Sequence, residues 1–495
     1  MTSAAVLAER LSRKVRVPTV TPLDGPLSPE KAAVFTEFKE LLYELYPTVF
    51  ATAEVTPTGR AGLLLRVDGT PSPELVEGST GLNPHETLRQ AQGTESVARL
   101  AGVTGLGPVL LMAHQDVVPA PTEDWAAAGW THPPFAGTVA DGEDGLTVYG
   151  RGTLDDKGAL LVLLEAVEDL LVSGWRPHHD LYLELGGDEE LDGPSAVAAV
   201  EELQRRGVVP ALVLDEGGAV TTGLVPGLTR QVAVVGVAEK GVTTLELSVS
   251  ADPRKPAHSS TPPRRGATAG LGRAIAALER HPHPAVVDDI AVRKFSDLAP
   301  DVPGPLGRIL ARADQLRSVL ARVLPFAGPE LAAMVRTTTA ATMLTGSAAP
   351  NIIAAKATAV VNMRVATSST VAEATRHVEK VATRAVGRGL TVEVRVVEGH
   401  EPTPVSPFDE RWEAIRTAVT AAYPDALTVP YTMLGASDAR HAARLTDAVY
   451  RFSPLFMTVA QRAGVHGVDE RVTADSLVRG VRFYRALLAG LEASG

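Results

Sequence analysis

Residues 110–120 read LLMAHQDVVPA, an apolar run that begins at Val109 and ends in a histidine and an aspartate two positions apart. Gly107 and Pro108 precede the run and Pro119 follows it, so the segment has the length and punctuation of a strand. Unbroken apolar character marks a strand covered on both faces, as in parallel sheets. His114 and Asp116 then stand at its carboxyl end, where open α/β sheets build their sites.

The same texture continues on either side. Between residues 101 and 220, GALLVLLEAVEDLLVSG, HHDLYLELGGDEE, GPSAVAAVEELQRRG and PALVLDEGG alternate amphipathic stretches with short apolar runs. That order predicts an α/β sheet with parallel members. Each apolar run ends in possible metal ligands: His114 with Asp116, Asp188 with Glu189 and Glu190, Asp215 with Glu216. One acid at a strand end is usually a helix cap. Three such ends together call for another explanation.

After Gly236 the pattern changes. EKGVTTLELSVSA, GATAGLGRAIAALERH, TTTAATMLTG, KATAVVNMRVA, an amphipathic stretch near 371–386 and LTVEVRVVEG follow a β-α-β-β-α-β order, typical of a small two-layer α+β domain. Pro- and Leu-rich sequence between Pro282 and Ala332 adds helices to it. From about Pro402 the first texture returns. The expectation is a catalytic domain of residues 1–236 and 402–495 interrupted by a lid or dimerisation domain of residues 237–401. Residues 69–107, rich in Gly, Pro, Ser, Thr and Glu, read as a long surface insertion.

Composition narrows the chemistry. With 47 basic and 58 acidic side chains the chain carries a net charge of -11, which argues against nucleic acid or an anionic membrane as the main partner. Small solutes or peptides fit better. There is no cysteine, which excludes disulfides, thiolate-bound zinc and a cysteine nucleophile. The N-terminal MTSAAVLAERLSRKVRVPTV intersperses charges, as an amphipathic helix does and a signal peptide does not, and no run reaches the ~18 apolar residues that span a bilayer. A cytoplasmic location is the resulting expectation.

The candidate ligands are therefore oxygen and imidazole donors: His114, Asp116, Asp155, Asp156, Glu189, Glu190, Asp215 and His466. Such a mixture suits zinc, cobalt or manganese rather than copper or calcium. Two divalent ions sharing a carboxylate at ~3.5–4 Å can polarise a carbonyl and lower the pKa of a water toward ~7. Of the remaining histidines, His132, His178, His179 and His400 fit no ligand pattern, and HPHP at 281–284 reads as a turn.

Eight phrases in order, AHQDVVPA, YGRGTLDDKGALL, GGDEELDG, VLDEGG, AHSSTPP, NIIAAKATAVVNMR, LGASDARHA and VHGVDERV, make the chain resemble the co-catalytic dizinc metallopeptidases, which include carboxypeptidase S, glutamate carboxypeptidase, aminoacylase and the ArgE/DapE deacylases. HQDVVPA, GRGTLDDKGALL and VYRFSP lean toward the carboxypeptidase S branch with its N-acyl amino acid hydrolases. The resemblance implies a zinc-exopeptidase-like catalytic domain with a mixed, largely parallel sheet and an inserted lid. It assigns Asp155 as the bridging carboxylate, His114 and Asp215 to one metal, and Glu190 with His466 to the other. Asp116 becomes the carboxylate that accepts the imidazole N–H of His114, Glu189 the general base, and the Asp155–Asp156 peptide cis. Gly186 and Gly187 would give the Glu189–Glu190 loop its backbone freedom.

By the same resemblance His258 stabilises an oxyanion, often reaching from another subunit of a homodimer, and Arg364 anchors the substrate carboxylate. Asn351, Gly435 and Ser437 would position substrate. Ala354 and Ala257 depart from the family pattern, which commonly has proline and glycine there. The implied activity is hydrolysis of a peptide or N-acyl amide next to a free carboxylate. A dipeptidase or aminopeptidase of the same family is one alternative, and an inactive metal-binding or scaffold module another.

Overall fold

The computed structural model describes residues 2–21, 27–70, 103–254 and 258–490. Most of the 69–107 insertion, residues 71–102, and Ala257 therefore lie outside the described residues. The first strands are β1 (Glu54–Thr58), β2 (Gly62–Val67) and β3 (Val109–His114). Every residue of β3 is buried. Two further strands, β4 (Thr138–Gly142) and β5 (Gly145–Tyr149), form a small hairpin. Then come β6 (Leu181–Gly186), β7 (Leu212–Asp215), β8 (Ala219–Thr221) and β9 (Val232–Glu239).

β3 lies between β6 and β7 and pairs with both in parallel, which explains its apolar character on both faces. Val109, Leu111 and Ala113 face the core shared with the helices Ala4–Val15, Lys157–Val172 and Ala474–Ala489. Leu110 and Met112 face the opposite core, built on the helix Pro194–Arg205. The period of two thus delivers alternate side chains to two apolar layers. All three strands end on one edge, placing His114, the turn after Gly186 and Asp215 side by side.

From β9 the chain passes through Lys240 into the lid sheet: β10 (Gly241–Ser250), β11 (Thr338–Thr345), β12 (Lys356–Val365) and β13 (Thr391–Gly399). These strands are antiparallel in the order β11-β12-β10-β13. The helices Ala267–Arg280 and Val371–Val386 cover one face, so the lid is an α+β two-layer unit. Its second helix starts with a capping box between Thr370 and Glu373. The chain then returns through β14 (Leu427–Met433), β15 (Val449–Arg451), β16 (Phe456–Met457) and β17 (Arg471–Thr473). β14 and β15 join the central sheet, which is mixed and largely parallel around β3.

The 282–332 segment does form helices, but they do not extend the lid layers. Phe295, Leu298, Val302 and Leu310 pack with Leu228, Val232 and Val429, against β9 and β14 of the central sheet. Their apolar faces are complementary to that sheet edge, a match that local sequence does not reveal. Among the described residues no helix is long and apolar enough to cross a membrane.

A buried ion pair braces the passage into the lid. Glu239, the last residue of β9, accepts a 2.5 Å hydrogen bond from Nε of Arg451 in β15, and both side chains are fully inaccessible. β15 in turn pairs in parallel with β7, Arg451 opposite Asp215. Removing one partner of a buried pair leaves the other charge uncompensated. Arg451→Leu should therefore destabilise the protein by about 3–5 kcal/mol and visibly lower its melting temperature. A melting curve superimposable on that of the wild type would contradict the bracing role.

Candidate metal centre and active site

His114 terminates β3 and is 1% exposed. Its backbone N–H donates to Oδ2 of Asp156 at 3.1 Å. Its Nε2 lies 3.0 Å from Oδ1 of Asp155, while Nε2 of His466 lies 3.0 Å from Oδ2 of the same carboxylate. His466 Nε2 is also 3.3 Å from Oε2 of Glu190. One carboxylate thus faces an imidazole on each oxygen. The Asp155–Asp156 peptide is cis, as the resemblance implies.

Ligand atoms of Asp155, Glu190 and His466 lie within 4.8 Å of one another, and so do those of His114, Glu189 and Glu190. Asp215 belongs to neither group. Its Oδ1 accepts from the Glu216 N–H at 2.8 Å and its Oδ2 from the Ala439 N–H at 2.7 Å, at the end of the strand beside His114.

Asp116 does more than the resemblance implies. The nearer acceptor for His114 Nδ1 is the Asp116 carbonyl oxygen at 3.0 Å, with the carboxylate Oδ1 at 3.4 Å. The carboxylate oxygens also accept the backbone N–H groups of Glu189 (3.2 Å) and Glu190 (3.3 Å) and the Thr21 hydroxyl (3.1 Å). One buried side chain therefore sets both the imidazole and the acidic turn. The reason for the two glycines also differs from expectation. Neither has a positive φ; a Cβ on Gly187 would come within 2.8 Å of the Ala61 backbone, and one on Gly186 within 3.1 Å of Asp438. At Gly187 close approach to backbone, not left-handed backbone, requires glycine.

Electrostatics supports a cationic occupant. Burial holds the carboxyl of Glu189 well above its usual range, against the pull of His114 and with a push from Asp438, Asp155 and Glu190. Burial does the same to Asp156, Asp215 and Glu216. Asp155 is opposite: burial pushes it up, but hydrogen bonds from His114 and His466 outweigh burial and hold it below the carboxylate range. Hydrogen bonds to Asp155 and Glu190 push His466 up to about 10. Buried Oε1 of Glu190 has no hydrogen-bond partner among the described residues. So much buried negative charge is costly unless positive charge joins it. Divalent cations fit this donor set of carboxylate oxygens and imidazole nitrogens.

Several residues without an assigned role in the sequence reading hold the centre. Glu470, fully buried, accepts the N–H groups of Gly152 (3.0 Å), Leu154 (2.8 Å) and Asp155 (3.1 Å). It also accepts from Nη1 of Arg151 at 2.5 Å, and Nη2 of the same arginine donates to the Gly467 carbonyl at 2.8 Å. The Arg151–Glu470 pair therefore ties the loop of Asp155 to the loop of His466. The signal was present in VHGVDERV, where Glu470 follows His466 by four positions. Arg440 is the other addition: it donates to Oδ1 of Asp192 at 3.2 Å and to the Ser437 carbonyl at 2.8 Å.

The substrate-side candidates separate. Arg364 is half-buried on β12; burial and the charge of Arg440 lower its pKa, while Asp192, just after Glu190, opposes them. Arg364 thus feels the opposed charges of Arg440 and Asp192. Ser437 is buried, and its hydroxyl donates to Oε1 of Glu239 at 2.6 Å, so its side chain braces the passage into the lid rather than presenting a free donor to substrate. Gly435 is exposed. His258 and Asn351 are exposed lid residues on paired segments, His258 bridging to Ile352 and the Ser259 N–H donating to the Asn351 carbonyl at 3.1 Å. Within one chain no described interaction brings either to the metal ligands. Nδ1 of His258 accepts from the Ser260 N–H at 3.2 Å and lies 2.7 Å from the Ser260 hydroxyl, an arrangement that places the proton of a neutral ring on Nε2.

A profile described as peptidase family M20/M25/M40 matches residues 110–490. The N-fatty-acyl-amino acid synthase/hydrolase PM20D1 of Xenopus tropicalis is 32% identical over 486 residues, covering 97% of this chain and 85% of its own length. The carboxypeptidase S-like 2 protein of Dictyostelium discoideum is 32% identical over 391 residues, covering 78% of this chain and 72% of its own length. Among solved structures, an M20 family metallo-carboxypeptidase from Sulfolobus solfataricus shares the fold with a TM-score of 0.61 at 16% identity, each chain covered to 99%.

Glu470→Gln retains the shape of the side chain but weakens its hold on Arg151 and the Asp155 loop. Metal affinity, measured by competition with a chromophoric chelator, should fall ~10–100-fold, the usual cost of losing a residue that orients metal ligands. Unchanged affinity would show that the loops hold their geometry without it.

Proposed function

The chain belongs to peptidase family M20/M25/M40, and from that membership we propose that it hydrolyses N-acyl amino acids with an apolar acyl group, using two divalent cations, zinc by preference. It is a metal-dependent hydrolase of amide bonds next to a free carboxylate, whether peptide or N-acyl. The acyl substrate is favoured because the Xenopus relative, matched over nearly the whole chain, is named for fatty-acyl amino acids.

In this reading His114 and Asp215 would hold one cation and Glu190 and His466 the other, with Asp155 available to each. Divalent cations held there would supply Lewis acidity to the scissile carbonyl and a water whose pKa lies toward ~7. Glu189 takes the proton of the attacking water and passes it to the departing amine nitrogen. A carboxyl whose proton affinity is raised by burial suits both halves of that transfer. Arg364 from the lid and Arg440 beside the acidic turn receive the substrate carboxylate, which relieves the repulsion between two neighbouring guanidinium groups. Exposed His258, with Nε2–H free, serves the oxyanion at the site of a second copy in a homodimer.

The observation that carries this reading is Glu189 itself. Its backbone is fixed by Asp116 and its carboxylate lies in a group with His114 and Glu190, while the second group around Asp155 and His466 does not need it as a ligand. Glu189→Gln should leave metal content unchanged and reduce kcat by ~10²–10⁴-fold on an N-acyl amino acid. Retained turnover would remove Glu189 as the base.

Arg364→Ala should raise KM for carboxylate-bearing substrates about tenfold or more with a smaller change in kcat. Indifference of KM to this change would point to an enzyme that reads the amino end of its substrate.

A further inference from the structure

Hydrolysis makes no use of the outer, helical layer of the lid, and a basic cleft lies there. The helix Val371–Val386 carries Arg376, Lys380 and Arg384 at intervals of four, and Arg388 continues the series past its end. This spacing aligns them on one face, where like charges repel and weaken the helix. None of the four makes an ion pair among the described residues. Acids of the two lid helices do not relieve them: Glu373 is engaged in the capping box, and neither Glu279 nor Glu379 lines the cleft.

Between this helix and Ala267–Arg280 lies a cavity of about 440 Å³, lined by Arg280, His281, His377, Lys380 and Arg384 over a small apolar floor. The HPHP run at 281–284 is more than a turn here. His377 Nε2 donates to the His281 carbonyl at 2.9 Å, and its ring lies tilted by 35° against that of His283 with centroids 4.2 Å apart. The rim is thereby fixed. Nε of Arg280 donates to the Ala276 carbonyl at 2.9 Å, which holds the guanidinium at the rim with its terminal nitrogens still available.

We propose that this cavity binds a small phosphate-bearing anion. Cations enter it from both helices, Arg280 from one and Lys380 with Arg384 from the other, so a group with more than one negative charge and several acceptor oxygens satisfies them together. A single carboxylate would neutralise only part of the cluster. The attraction is local, because the chain as a whole carries -11, and it weakens with salt. The volume holds a soluble phosphate ester or the headgroup of a phospholipid, and the recognising chemistry is the same for both. The inference is independent of the hydrolytic assignment.

The test uses the intact, zinc-loaded chain. Fructose 1,6-bisphosphate is titrated calorimetrically, and vesicles of phosphatidylglycerol or of phosphatidylcholine are sedimented with the protein. Wild type should bind the bisphosphate or the phosphatidylglycerol vesicles, more weakly as salt rises, and K380Q/R384Q should lose at least ~10-fold in affinity. Hydrolysis without phosphate should be the same in both proteins. Bisphosphate binding assigns a soluble ligand; vesicle binding without it assigns a headgroup. Binding of neither, or binding equal in the variant, overturns the proposal. Circular dichroism checks that the variant is folded, and R280Q, on the other helix, gives the same readout should it not be.

Discussion

Asp155 presents each of its oxygens to an imidazole nitrogen at 3.0 Å, one from His114 and one from His466, and the rest of the site is arranged around that carboxylate. The physical constraint behind it is charge. Carboxyls of Asp156, Glu189, Asp215 and Glu216 are pushed up by burial around the same point, and cations bound among them would offset the cost of charging them there. The cluster is therefore unfavourable as bare protein and favourable as a metal site. Chemistry and stability meet in the same residues.

Much of the fold serves to hold these groups against their mutual repulsion. The parallel strands β6, β3 and β7 bring three chain segments to one sheet edge, where backbone N–H groups stabilise the acids. Asp116 collects the N–H groups of the Glu189 turn, and Glu470 collects those of the Asp155 loop. Glu239 and Arg451 then brace the point where the chain leaves for the lid, close to Ser437. Position in this centre is set in part by two buried acids, Asp116 and Glu470, through the backbone N–H groups they accept.

Local pattern made a large part of this legible. A run of apolar residues ending in His114 could be recognised as an interior strand because parallel strands bury both faces, and the lid because its β-α-β-β-α-β order is a two-layer pattern. The separate roles of Asp155, Glu190 and His466 came from a resemblance spread over eight phrases, since nothing local in GVHGVDE brings residue 466 beside residue 155. What local pattern does not contain is partner identity. The use of the Asp116 carboxylate, the contact that makes Gly187 necessary, the Arg151–Glu470 tie and the packing of the 282–332 helices on β9 and β14 all depend on segments distant in sequence. Ser437 shows the same lesson from the other side: a hydroxyl in a motif reads as a substrate donor until its buried acceptor, Glu239, is seen.

The account stands on one carboxylate shared by two cations. Elemental analysis of protein loaded with zinc and freed of excess by gel filtration measures this directly. The expected stoichiometry is two ions per chain, falling to one or none in Asp155→Asn. A wild-type protein that retains fewer than two, or an Asp155→Asn protein that still retains both, would contradict it.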